Sequence, residues 1–318
     1  MFPIKLLAAL ITAWPLAGTA GPLELFDAGE FAPAAEAARA ELGRDPENFE
    51  ALIVLGRSQL TLDQAADATM TLTMATRAYP RSAEAWYRLG QAVTVQLGES
   101  GMFRRMMLSG DIGEAFGRAV ELAPDNAEYR WALFEFCRQA PAFVGGGQRK
   151  ARAQADALAR IDPPRGLRAE AALLAQDGKA EAAEEKLKAA IRLSPDESDH
   201  RYGLGYFYLR AERWDEADAV FREIVARFPD QQQALFQIGK TAALSHRRLE
   251  AGAAALERYL GYKPRAGEPP LAYAHLRLGQ IREQLGDREE AAADYAMASR
   301  LDPKLEEARA ALAALRGA

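Results

Sequence analysis

Eight prolines punctuate this chain at near-regular intervals: Pro46, Pro80, Pro124, Pro163, Pro195, Pro229, Pro264 and Pro303. Their contexts are alike, as in "RDPEN", "AYPRS", "LAPDN", "IDPPR", "LSPDE", "RFPDQ" and "LDPKL". Each proline follows one amphipathic run and precedes another, and the steps Pro46–Pro80 and Pro195–Pro229 are equal in length. A fixed period of about 34 residues marks a repeat architecture, in which one supersecondary unit recurs and neighbours bury each other's apolar faces. It constrains the fold more than any local pattern, because a single unit cannot bury its apolar face alone.

Within each period the residues resemble the tetratricopeptide repeat, a helix–turn–helix unit with the pattern W-x2-L-G-x2-Y followed by A, F, A and P. From Phe49 the signature positions hold Leu52, Leu55, Gly56, Ala68, Leu72, Ala75 and Pro80. From Ala83 they hold Trp86, Leu89, Gly90, Phe116, Ala119 and Pro124. From Ser198 they hold Leu204, Gly205, Tyr208, Ala217, Phe221 and Pro229, and from Ala272 they hold Leu278, Gly279, Ala291, Tyr295, Ala298 and Pro303. Weaker units start near Ala127, Pro164 and Gln232. The resemblance implies an all-α, right-handed superhelical solenoid occupying 21–318 as one domain. Its units fall at about 22–48, 49–82, 83–126, 127–163, 164–197, 198–231, 232–266 and 272–303, followed by a capping helix at 304–316. The small residues Gly56, Gly90, Gly205, Gly239 and Gly279 are expected to let the first and second helices of a unit (A and B) approach closely.

Two units are longer than the period. The step from Gly90 to Pro124 exceeds the pattern by ten, and the surplus lies within "LGESGMFRRMMLSGD", 97–111. Five further residues lie in "APAFVGGG". Both are expected to expand the turn between helices A and B. The glycine run invites a phosphate-cradle reading, since glycines leading into a helix N-terminus bind anions. No G-K-[ST] follows it, however, and no G-x-G-x-x-G exists, so Gly145–Gly147 is expected to be a structural turn with positive φ. The basic residues after it are not explained by a turn. With the neighbouring insertion they form a candidate basic-apolar lip of Met102, Phe103, Arg104, Arg105, Arg149, Lys150 and Arg152, with Arg247 and Arg248 further along the same edge.

The resemblance also implies a concave groove lined by helix A. The fifth position of successive units carries Ile53, Tyr87, Trp131, Arg168, Tyr202, Phe236 and Leu276, and the ninth carries Arg57, Gln91, Glu135, Ala172, Tyr206, Lys240 and Gln280. Aromatic and arginine anchors suit protein recognition. The candidate groove residues are therefore Arg57, Tyr87, Gln91, Trp131, Arg138, Tyr202, Tyr206, Arg210, Phe236 and Lys240. Family members that hold chaperone C-termini use a Lys and Asn carboxylate clamp. Here the only asparagines are Asn48 and Asn126, both in turns, so a groove ligand must be held differently.

The opening segment 1–20, "MFPIKLLAALITAWPLAGTA", reads as a secretory signal with Gly18 and Ala20 at the −3 and −1 positions of a cleavage site. Export to the periplasm or beyond is expected. The single Cys137 permits no intramolecular disulfide. A formal net charge of -5 gives no basic excess for nucleic acid. His200, His246 and His275 fall in different units without metal-ligand spacing, and no acid pair or nucleophile constellation stands out. The sequence thus predicts a non-enzymatic scaffold without cofactor or metal that binds a partner protein in its groove. Its alternative is an envelope-assembly factor whose lip meets an anionic partner or lipid surface.

Overall fold

The computed structural model describes residues 20–98 and 102–317, without the side chains of 102–106. Among the described residues there are seventeen α-helices and no strand. The first helices of the hairpins are α1 (Pro22–Asp27), α3 (Phe49–Thr61), α5 (Ala83–Gly98), α7 (Ala127–Gln139), α9 (Pro163–Gln176), α11 (Ser198–Arg210), α13 (Gln233–Ser245) and α15 (Leu271–Leu285). Their partners are α2 (Phe31–Leu42), α4 (Ala65–Ala78), α6 (Met102–Leu122), α8 (Gln148–Ile161), α10 (Ala180–Leu193), α12 (Trp214–Arg227), α14 (Leu249–Leu260) and α16 (Arg288–Leu301). A last helix, α17 (Glu306–Gly317), buries Ala308 and Leu315 against the end of the array and turns charged residues outward.

Five of the hairpins are held by a glycine socket. A Cβ at Gly56 would lie 2.5 Å from Leu72, at Gly90 2.5 Å from Phe116, at Gly205 2.6 Å from Phe221, at Gly239 2.2 Å from Leu256 and at Gly279 2.7 Å from Tyr295. Each of these large partners sits on helix B and is buried. The glycine therefore removes the atom that would keep the partner's side chain out. Position fifteen of the unit is a second fixed point, with left-handed backbone at Asp63, Gly178, Glu212, His246 and Gly286. That conformation turns the chain from helix A into helix B.

Proline turns join the units, and they are tied down from the following helix. Trp86 Nε1, an Arg130 guanidinium nitrogen and an Arg201 guanidinium nitrogen each donate to the carbonyl of the proline six residues earlier, Pro80, Pro124 and Pro195, at 3.0, 2.6 and 2.6 Å. Side-chain N-caps come from Asn48, Asn126 and Asp162. The turn acids Asp125, Asp196 and Asp230 make no such cap.

Successive A helices pack on one another, as α3 on α5, α7 on α9, α9 on α11 and α13 on α15, in addition to the contacts within each hairpin. The A helices therefore form the tighter, inner rail of a curved array. The curvature is large enough for Lys263, between the seventh and eighth hairpins, to reach the first one. Its ammonium donates to Glu30 Oε1 at 2.6 Å and to the Ala28 carbonyl at 3.3 Å.

The ten-residue insertion does not make a long turn. Helix α5 has 16 residues and α6 has 21, against 13 and 14 in α3 and α4, so the extra residues extend both helices of that hairpin. The amphipathic periodicity of "VTVQL" and "MLSGDI" simply continues the flanking helices. The second expansion is an ordered turn: Gln139 ends α7, Ala142–Val144 form a 3-10 turn, and Gly145 and Gly147 take φ of 96° and 103°.

The sockets give a direct test. Gly239→Ala should cost about 1–3 kcal/mol of unfolding free energy by overpacking Leu256. Gly117→Ala, where a Cβ meets nothing within 4 Å on α6, should gain about 0.5–1 kcal/mol. Urea unfolding of both variants measures the difference.

Candidate functional site

The candidate groove residues separate into two groups. Tyr87, Tyr202 and Phe236 are 6%, 5% and 6% exposed and belong to the core, which corrects their assignment to the groove surface. Tyr87 packs on Phe116 of its own hairpin and Tyr129 of the next, and its hydroxyl donates to Glu128 at 2.7 Å. Tyr202 packs against Phe221 and Phe236 against Tyr259. The fifth position precedes the socket glycine by three residues, so it shares the face turned toward helix B. Burial pushes the Tyr87 and Tyr202 hydroxyls well above their ordinary range, aided at Tyr87 by the Glu128 carboxylate.

Trp131 occupies the same position and is only half-buried. The reason is local. Where five other units have the socket glycine, this one has Phe134, which is fully buried and lies 5.3 Å from the indole. Phe134 fills the space that the fifth-position ring takes elsewhere and leaves Trp131 facing the concave side. There Arg168 stacks on it at 4.8 Å.

Trp131 and Arg168 belong to a cleft of about 220 Å³ between α7, α9 and α11, completed by Glu135, Arg138, Tyr206, Phe207 and Arg210. Arg138 pairs with Glu135 at 2.6 Å. Arg168 and Arg210 have no ion pair or side-chain hydrogen bond among the described residues. Burial lowers the pKa of Arg168, so its charge is held at a cost that a bound anion would relieve. Arg57 and Lys240 also lack ion pairs among the described residues. Arg57 lies 4.1 Å over the Phe26 ring, and both are shifted downward by burial. Gln91 is occupied within its own helix, donating to Tyr87 Oη and accepting from Arg88. Arg168 is the residue that sequence reasoning passed over. Its signal was an arginine in a column otherwise filled by aromatic and aliphatic side chains.

A larger hollow, about 660 Å³, adjoins this cleft and shares Trp131 and Glu135 with it. Its walls are mostly apolar, from Val95 and Leu97 on α5, Ile112 and Phe116 on α6, Ala132 and Phe136 on α7, and Pro141 beyond.

The glycine turn holds no anion cradle. Gly145, Gly146 and Gly147 donate their amides to the carbonyls of Ala142, Pro141 and Cys137 at 3.1, 3.1 and 2.8 Å. Lys150 Nζ donates to the Gly145 carbonyl at 2.8 Å. Of the candidate lip, Met102, Phe103, Arg104 and Arg105 lie outside the residues whose side chains are described. Lys150 is spent on the turn, Arg152 lies 4.0 Å from Asp177, and Arg149 is exposed. Arg247 and Arg248 pair with Asp215 and Asp218 of the preceding unit at 2.7 and 2.8 Å. These pairs, with Glu257–Arg282 and Glu307–Arg277, lace neighbouring units together and leave the lip with few free cations among the described residues.

Among the described residues no group of three His, Cys, Asp or Glu is placed to hold a metal, and no helix is long and apolar enough to cross a membrane. Cys137 packs with Phe134, Leu158 and Leu173, and burial pushes its thiol up.

The curved stack of helical hairpins defines an α-solenoid. Family models described as tetratricopeptide repeat match residues 23–71, 174–237 and 272–305. The chain is a tetratricopeptide repeat protein. A tetratricopeptide repeat protein from Parabacteroides merdae superposes with a TM-score of 0.52 at 14% identity, covering 93% of this chain and 96% of that one. A thermophilic protein of the same repeat class from Thermus thermophilus gives a TM-score of 0.46 at 18% identity over 69% of this chain and 94% of its own. The first of these likenesses concerns the fold alone. No curated protein is significantly similar in sequence.

His200 lies beside this site with both ring nitrogens buried; Nε2 stands 3.2 Å from Glu197 Oε2, and neither nitrogen makes a well-directed hydrogen bond. Burial lowers its pKa from the ordinary 6.5, and the Arg168 charge lowers it further, against the opposing pull of Glu197, Asp162 and Asp199. The unfolded chain then binds the proton more readily than the folded one, so stability falls as pH drops below about 6.5. His200→Leu should flatten the stability–pH curve between that value and the lower folded pKa, measured by urea midpoints at stepped pH.

Proposed function

We propose that this protein is an exported scaffold of a bacterial envelope that holds an acidic segment of a partner protein along its concave face. Tetratricopeptide repeats are protein-interaction scaffolds. The observation that carries the acidic preference is the set of concave cations without ion pairs among the described residues: Arg57, Arg168, Arg210 and Lys240. They stand on a chain whose formal charge is -5, while cations such as Arg213, Arg247, Arg248 and Arg282 are paired with neighbouring units. Unpaired cations gathered on one face steer and orient an anionic partner. The leader-like opening segment supports export.

Photo-crosslinking in the native cell tests this. With p-benzoylphenylalanine replacing Tyr206, a partner adduct is expected, and Arg168→Glu with Arg210→Glu should reduce its yield roughly tenfold. The same group at Glu185, an exposed position on α10, should give no such adduct. Adducts from position 185 alone would overturn the groove. Intact mass of the cell-derived protein should correspond to a chain starting at Gly21.

A further inference from the structure

The two departures from the repeat period frame one hollow. Extension of α5 supplies Leu97, just beyond Val95, which stands at the rim 43% exposed. The glycine turn brings Pro141 to the other side. Met107, on the added turns of α6, and Phe143, in the 3-10 turn, are apolar side chains left 64% and 80% exposed. An array built only of standard units would lack Leu97 and the glycine-turn side of this lining. The resulting pocket of about 660 Å³ is lined mainly by carbon and adjoins the cleft on the concave side. One wall, Trp131 and Glu135, is also a wall of the cleft that carries Arg168 and Arg210.

We propose that these adjoining sites act as one bipartite reader of a partner segment. A bulky apolar side chain fills the insertion-framed pocket, and a neighbouring Asp or Glu meets Arg168 and Arg210 across Trp131. The inference rests on the groove reading above and adds what the groove selects. Charge complementarity fixes the occupant. A uniformly apolar ligand would leave Arg168 desolvated and unpaired, whereas an acidic one relieves it. An acidic ligand without an anchor would leave the apolar walls wet. Glu135 neutralises Arg138 at 2.6 Å, so the cationic end of the site is Arg168 and Arg210.

Selection of random displayed peptides, each about a dozen positions long, on the immobilised full chain tests both halves. The expected consensus is a large apolar residue with Asp or Glu within a few positions. Ala132→Trp, which fills the pocket, should weaken the selected peptides about tenfold, and so should Arg168→Gln with Arg210→Gln. Only the charge variant should lower the sensitivity of binding to added salt. Val95→Glu, at an exposed position, serves as a second pocket variant if Ala132→Trp disturbs folding. Peptides lost with the arginines but indifferent to both pocket variants would overturn the bipartite site and leave the groove standing. Peptides indifferent to all the variants would overturn the groove as well. A purely apolar consensus, no consensus, or a dimer abolished by Ala132→Trp would each assign the pocket otherwise and overturn the proposal.

Discussion

Everything in this array depends on a missing methyl group. At Gly56, Gly90, Gly205, Gly239 and Gly279 the absence of Cβ lets a leucine or aromatic side chain of the second helix sit against the backbone of the first. The hairpin's geometry follows from that contact, and the stacking of hairpins follows from the hairpin. No unit is stable alone, so the socket contributes to its neighbours as much as to its own pair of helices. The ion pairs between units, such as Asp215 with Arg247 and Glu257 with Arg282, are laid over this packing on partly exposed surface. There, pairs contribute at most about 1 kcal/mol each.

The site arises where the rule is broken. One unit replaces the socket glycine with Phe134, and Trp131 moves from the core to the groove. The next unit places an arginine in the aromatic column, and it stacks on that tryptophan. The unit before it is lengthened, and its longer helices wall a hollow on the other side. Three neighbouring irregularities thus converge on one stretch of the concave face. Elsewhere the array follows its period more closely.

The period, the sockets and the helical hairpins were legible in the sequence because spacing and residue type repeat, and each repeat restates the same steric requirement. The groove was legible only in part. The fifth and ninth positions are one helical turn apart and look equivalent on a linear register, yet the fifth faces helix B and the ninth faces the cavity. That is why Tyr202 is buried while Tyr206 lines the cleft. The exception at Trp131 needed a third residue, Phe134, to be read together with it. The ten-residue insertion was visible as a length, but length does not distinguish a loop from added helical turns. Helical periodicity through "VTVQL" and "MLSGDI" does.

The contact between Lys263 and the first hairpin gives the molecule a mechanical property. A curved stack of hairpins behaves as a spring, and its inner opening widens as the ends separate. Here the first hairpin is bridged to the junction of the seventh and eighth by Lys263, which reaches Glu30 and the Ala28 carbonyl on exposed surface. Such a tie yields for about 1 kcal/mol, close to thermal energy. Thermal motion alone therefore breaks and remakes this clasp, although it joins residues far apart along the chain.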